Sequence, residues 1–177
     1  VNNANKIEYE GLTFTKERFG EIDLFHYYYF FENTPNNLIK YNLYLRNDPR
    51  ELESIREKGS PILFERDKQI YISINGTGLS ECTDASFAIG SLTSFLVDNQ
   101  LSVKGATPDV VESEVKGMVY ATCDFKKNEE VFIIQSGEES SIVSDGDCHT
   151  VTVANCEIIK VTEKIKLESN LGAKENH

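Results

Sequence analysis

Three short clusters in this chain of 177 residues carry side chains suited to chemistry. The first is Arg46-Asn47-Asp48-Pro49-Arg50. An arginine fork matches the oxygens of a phosphate, so a fixed arginine is a natural clamp for a pyrophosphate. The second is Tyr71-Ile72-Ser73, which offers an aromatic ring and a hydroxyl two residues apart in a strand pattern. The third is Asn128-Glu129-Glu130-Val131. A carboxylate held beside a sugar stabilises the positive charge that develops as a bond to its anomeric carbon breaks. Glu130 is the candidate for that role, with Glu139 of Gly137-Glu138-Glu139 as the competing choice, because Val131 to Ile134 continues as the better strand. Without such a site, Arg46 is an arginine at a strand end, Asp48 a helix cap, and the glutamates solvated turn charges.

These groups need elements to hold them. Residues 22–31 are aromatic-rich and read as a strand or a buried segment, Asn33 to Asn37 as a turn around Pro35, and residues 38–46 as an alternating strand. A helix is expected next, with Asp48 as N-cap, Pro49 at its first position, Leu52 and Ile55 on one face, and Gly59 ending it. Residues 69–74 read as a strand, 80–98 as a helix and 99–109 as a loop. Strand patterns follow near 115–123, 130–135, 141–144, 149–154 and 156–162. The whole reads as one α+β domain over residues 1–177, with 1–40 an N-terminal extension and 167–177 a fraying polar tail.

In this order the clusters resemble the dinucleotide-binding residues of mono-ADP-ribosyltransferase toxins of the cholera and pertussis type. Arg46-x-Asp48-x-Arg50 is followed by Ile55 nine and Gly59 thirteen residues beyond Arg46, Phe64-x-Arg66 precedes Tyr71-x-Ser73, and Lys126-Lys127-Asn128-Glu129-Glu130-Val131 enters a strand. The resemblance covers about residues 43–135. It implies a two-sheet ADP-ribosyltransferase-like core with early helices and an NAD cleft between the sheets. It implies a secreted toxin or effector that cleaves NAD, its substrate, and passes ADP-ribose to a protein acceptor or to water. Arg46 would contact NAD phosphate or ribose, Asp48 and Arg50 would line the cleft, Ser73 would brace it and orient Glu130, and Glu130 would stabilise the ribosyl cation. Tyr71, Phe87 or one of Tyr27 to Tyr29 would stack on nicotinamide, and no metal is called for. Ser73-Ile74-Asn75 replaces the family's Ser-Thr-Ser, and Asn128 stands at its first glutamate. Asparagine cannot act as a base, which turns the expectation toward NAD hydrolysis or a different acceptor. The same departures motivate an alternative, an inactive secreted effector of this fold that binds a host protein. An unrelated acidic, β-rich extracellular binding domain is the third reading. The acceptor, the host target and any delivery partner are left open.

Composition narrows the partners. The formal net charge of -11 makes the chain a poor general binder of nucleic acid or anionic membranes. No apolar run approaches the roughly 20 residues of a membrane span, and no signal peptide is visible. Four cysteines, Cys82, Cys123, Cys148 and Cys156, lack metal-site spacing, and the three histidines, His26, His149 and His177, are scattered. The even count fits two disulfides in a secreted protein, with three pairings open and Cys148 and Cys156 on neighbouring strand patterns; four reduced, buried cysteines are the alternative. Asn75-Gly76-Thr77 is a glycosylation sequon.

Overall fold

A computed structural model describes residues 3–124 and 128–175. The fold is mixed α/β with two sheets. The sequence suggests one domain; the chain divides into two compact units, Val1–Ser54 and Ile55–His177.

The first unit is an antiparallel meander of β1 (Lys6–Tyr9), β2 (Leu12–Phe19), β3 (Ile22–Thr34) and β4 (Asn37–Leu45). The expected strands at 22–31 and 38–46 are β3 and β4. The expected extension at 1–40 is instead integral to this sheet. Its turns fall where the backbone can take positive φ, at Glu10 and Gly11, at Gly20 and at Asn36. Strand alternation sends Leu12, Phe14, Phe25, Leu43 and Leu45 to a buried face. The other face leaves Phe19, Tyr28, Phe30 and Tyr44 exposed.

Asp48 does cap the next segment, its carboxylate accepting from the Arg50 N–H at 2.9 Å. The helix expected there is only a 3-10 turn, Pro49–Ser54. Gly59 does not end a helix; it ends the short strand β5 (Arg56–Gly59), because β10 (Ser141–Asp145) supplies a parallel partner.

The second unit holds β5 and β10 together with β6 (Gln69–Ile74), β7 (Ser102–Thr107), β8 (Val119–Tyr120), β9 (Glu129–Ser136) and β11 (Cys148–Val153). Among the described residues they form one seven-stranded sheet in the order β5-β10-β11-β9-β6-β7-β8. All neighbours are parallel except the β10–β11 hairpin. Parallel strands need crossovers. Here α1 (Ala85–Asp98) joins β6 to β7, and α2 (Val110–Lys116) joins β7 to β8. α3 (Ile158–Glu175) follows β11 and packs on α1.

Several expectations are corrected. The loop at 99–109 contains β7, and the strand at 115–123 gives way to α2 and the two-residue β8. α2 forms because the Asp109 carboxylate accepts from the Val111 and Glu112 N–H groups, and Gly117 closes it in the left-handed region. The strand at 156–162 and the tail from 167 are one helix, α3, with Ile158, Val161, Ile165 and Leu167 fully buried. No α-helix precedes Ala85 among the described residues, so the helices are not early.

Two disulfides close the second unit, Cys82–Cys156 and Cys123–Cys148. Cys148 therefore bonds Cys123, not a neighbour at Cys156. The first bridge ties the approach to α1 to the approach to α3, and the second fixes the segment after β8 to the start of β11. No helix among the described residues is long and apolar enough to cross a membrane.

Candidate functional site

Glu130, Phe132 and Ile134 point to one face of β9, and Val131 and Ile133 to the other. The register sets Glu130 opposite Ile70, and Ser73 opposite Ile133. Ser73 and Glu130 thus stand on opposite faces of the same sheet. The expectation that Ser73 orients Glu130 is corrected by this parity, since a strand's side chains alternate with a period of two.

Each expected residue has different company. Ser73 is fully buried and donates to the Ala121 carbonyl at 2.7 Å. Tyr71 shares its face and packs on Ala106, Ala121 and Val131. Arg46, Asp48 and Arg50 belong to the first unit. Asp48 and Arg50 form a paired-oxygen ion pair with each other, and the Arg50 guanidinium bonded to Asp48 lowers the carboxyl's pKa. Glu139, the competing carboxylate, is exposed and pairs with Arg56 at 3.3 Å. Phe87 is exposed on α1, and Tyr27 to Tyr29 lie on β3. Lys126, Lys127 and His177 lie outside the described residues.

What surrounds Glu130 is a hydrogen-bonded chain across three adjacent strands. Its Oε1 lies 2.8 Å from Nε2 of His149 on β11. The other ring nitrogen, Nδ1, lies 2.7 Å from Oγ of Ser144 on β10. Ser144 and His149 face each other directly in the β10–β11 hairpin. Phe132 stacks on the imidazole with ring centroids 4.3 Å apart. Packing and hydrogen bonds therefore fix the ring from both ends and one side.

Burial grades along this chain. Glu130 and His149 are each 1% exposed and Ser144 is 6% exposed. Ser144 also lines a pocket of about 340 Å³ with Gly59, Ser60, Ile62, Ile142 and Glu168 of α3. The strand partner of Ser144 in this region is Gly59, which presents no side chain. It can be nothing else, because its φ is +98° and an added Cβ would fall 1.8 Å from the Ser144 carbonyl oxygen.

Burial raises the pKa of Glu130, opposed by the hydrogen bond from His149. Its second oxygen, Oε2, is buried without a hydrogen-bond partner among the described residues. Ionised Glu130 accepts from His149 Nε2–H, which leaves Nδ1 to accept the Ser144 hydroxyl proton. Neutral Glu130 can donate to Nε2, which places the ring proton on Nδ1 and turns it toward Ser144. A carboxylate buried at one end thus sets the polarity of a hydroxyl at the other.

The sequence reading found Glu130 but neither partner. Gly146-Asp147 between two strand patterns is a two-residue hairpin loop that pairs Asp145 with Cys148 and so places Ser144 across from His149. Comparison with protein-family models, with curated proteins and with solved structures finds no match to this chain.

Proposed function

We propose that the second unit is a serine-dependent acyl hydrolase, with Ser144 as nucleophile, His149 as general base and Glu130 as the group that orients and supports the imidazole. The observation that carries this reading is the unbroken Ser144–His149–Glu130 hydrogen-bond chain that meets a pocket at its serine end. A serine hydroxyl is a weak nucleophile until a positioned base takes its proton, and a third group must hold that base in the right tautomer. In the first step Oγ of Ser144 bonds to the carbonyl carbon of an ester or amide while Nδ1 of His149 takes the hydroxyl proton. The imidazolium is stabilised by the Glu130 carboxylate. Its proton then passes to the leaving oxygen or nitrogen as that bond breaks, giving an acyl-serine. Water then adds to the acyl carbon as Nδ1 takes its proton, the acyl–Oγ bond breaks to release the acid, and the imidazolium returns the proton to Oγ of Ser144.

This placement supports acyl transfer over NAD cleavage, for which Glu130 and Ser73 would have to share a face. Disulfides persist in oxidising compartments, so the two bridges support an extracellular site of action.

The direction of pH dependence follows from Glu130. Nδ1 accepts from Ser144 only when Glu130 is ionised, and its pKa is raised. Activity is therefore expected to rise with pH through a carboxyl pKa above the ordinary 4.5. The test is labelling by a fluorophosphonate probe, with peptide mapping, beside hydrolysis of a p-nitrophenyl ester series. Labelling at Ser144, lost in Ser144→Ala and in His149→Gln, is the expected result. A folded wild-type protein that neither takes the probe nor cleaves any ester would overturn the reading.

A further inference from the structure

Acyl transfer makes a second demand that the Ser144–His149–Glu130 chain does not meet. When Oγ adds to the carbonyl, negative charge moves onto the carbonyl oxygen, and a donor must already be aimed there. We propose that Ser60 is that donor, an inference that rests on Ser144 being the nucleophile.

Ser60 lines the same pocket as Ser144. It is fixed to the strand and turn that carry the nucleophile at two points. Its N–H donates to the Ser144 carbonyl at 3.1 Å, and its Oγ accepts from the Gly146 N–H at 3.0 Å. The second contact uses an oxygen lone pair and leaves the hydroxyl hydrogen unspent. A hydroxyl carries one hydrogen that rotates to meet an acceptor, and among the described residues Ser60 Oγ has no other hydrogen bond. Its hydrogen is thus available to an acceptor that arrives in the pocket. The left-handed Gly59 provides the geometry, since it turns the chain out of β5 so that the next residue meets the β10–β11 turn.

A purely structural Ser60 would hold the Gly146 turn and nothing more. The two roles separate in the kinetics. Loss of an oxyanion donor lowers kcat and spares ground-state binding. Ser60→Ala is expected to lower kcat on a p-nitrophenyl ester by about 10²–10³-fold with KM little changed, the range seen when one such donor is removed. Affinity for a trifluoromethyl ketone, which forms a stable oxyanion adduct with a serine, should fall with kcat. Ser60→Thr, which keeps a hydroxyl, should recover most of both. Full kcat and unchanged ketone affinity in Ser60→Ala, with hydrolysis still lost in Ser144→Ala, would overturn the role of Ser60 and leave the nucleophile standing. Hydrolysis that survives in Ser144→Ala, or is absent from the wild type, would overturn both. A matched loss in Ser60→Ala and Ser60→Thr, with a lowered melting temperature, would make Ser60 a turn residue and also overturn the proposal.

Discussion

The two units of this chain solve the burial problem in opposite ways. The first is an antiparallel meander in which each strand pairs with its neighbour in sequence. One of its faces stays wet although it carries Phe19, Tyr28, Phe30 and Tyr44. The second is mainly parallel, so its pairings join distant residues, such as Gln69 with Glu129 and Arg56 with Ser141. Closing long loops costs chain entropy before any contact repays it. All four cysteines fall in this second unit. Local hairpins need little covalent help, whereas a sheet assembled from distant segments gains most from staples that confine its unfolded chain.

The largest expected effect comes from removing a staple. Replacing Cys82 and Cys156 with Ala opens a loop of 74 residues. In the chain-entropy model this lowers stability by about 4 kcal/mol. Denaturant melts, with hydrogen exchange read at β9 and β11, would measure it, and a loss below about 1 kcal/mol would break the contrast drawn between the units.

Next is Phe14→Ala in the first unit. Phe14 is fully buried, and truncating such a ring costs about 3–5 kcal/mol. Loss of β2–β3 amide protection in this variant, with no staple present to compensate, would sharpen the comparison.

Smaller in effect is Glu130→Gln in the second unit. The folded pKa of Glu130 is raised above the unfolded value, so between the two the folded state binds more protons. Stability from this group is therefore fully present at low pH and falls as pH rises from about 4.5 through the folded pKa. The Gln variant should flatten that fall in melts taken across pH 4 to 8. A steeper fall in the variant would reverse the assignment.

The smallest effect is expected at Phe30→Ser, on the exposed face of the first sheet. Surface changes of this kind stay within about 0.5 kcal/mol. A loss above about 1 kcal/mol would show that the exposed face contributes to stability.

Legibility in the sequence followed the same division. β3 was readable from its aromatic run, and β4 because Ile39, Tyr41 and Leu43 alternate with Lys40 and Asn42. β2 was not, since Lys16 and Arg18 continue the parity of Leu12 and Phe14 and break the apolar signal. In the second unit β9 was readable from its apolar run, and β6, β10 and β11 as short patterns rich in β-branched residues. The start of α3 read as a strand because Ile158, Ile159, Val161 and Thr162 are β-branched, and the strand read near 115–123 overlaps only the last two residues of α2. Caps and burial overrode that preference. The lysines and glutamates of α3 gave the rest of it the look of a loose tail, yet Lys164 and Lys166 are buried there, paired with Glu168 and bonded to Ser91. Glu130 was legible as a carboxylate entering a strand. Its partnership with His149 was not, because it depends on β11 lying beside β9 in a register that no local pattern encodes.

The nesting of the bridges also shapes how the protein would respond to being cut. The Cys123–Cys148 loop lies wholly inside the Cys82–Cys156 loop. A protease that severs any single peptide bond between residues 83 and 155 leaves both fragments on one covalent frame. That span includes β9 with Glu130, β10 with Ser144, and β11 with His149. A nicked molecule would keep Ser144 and His149 tethered to each other and to the sheet, and only a reductant would let the pieces part.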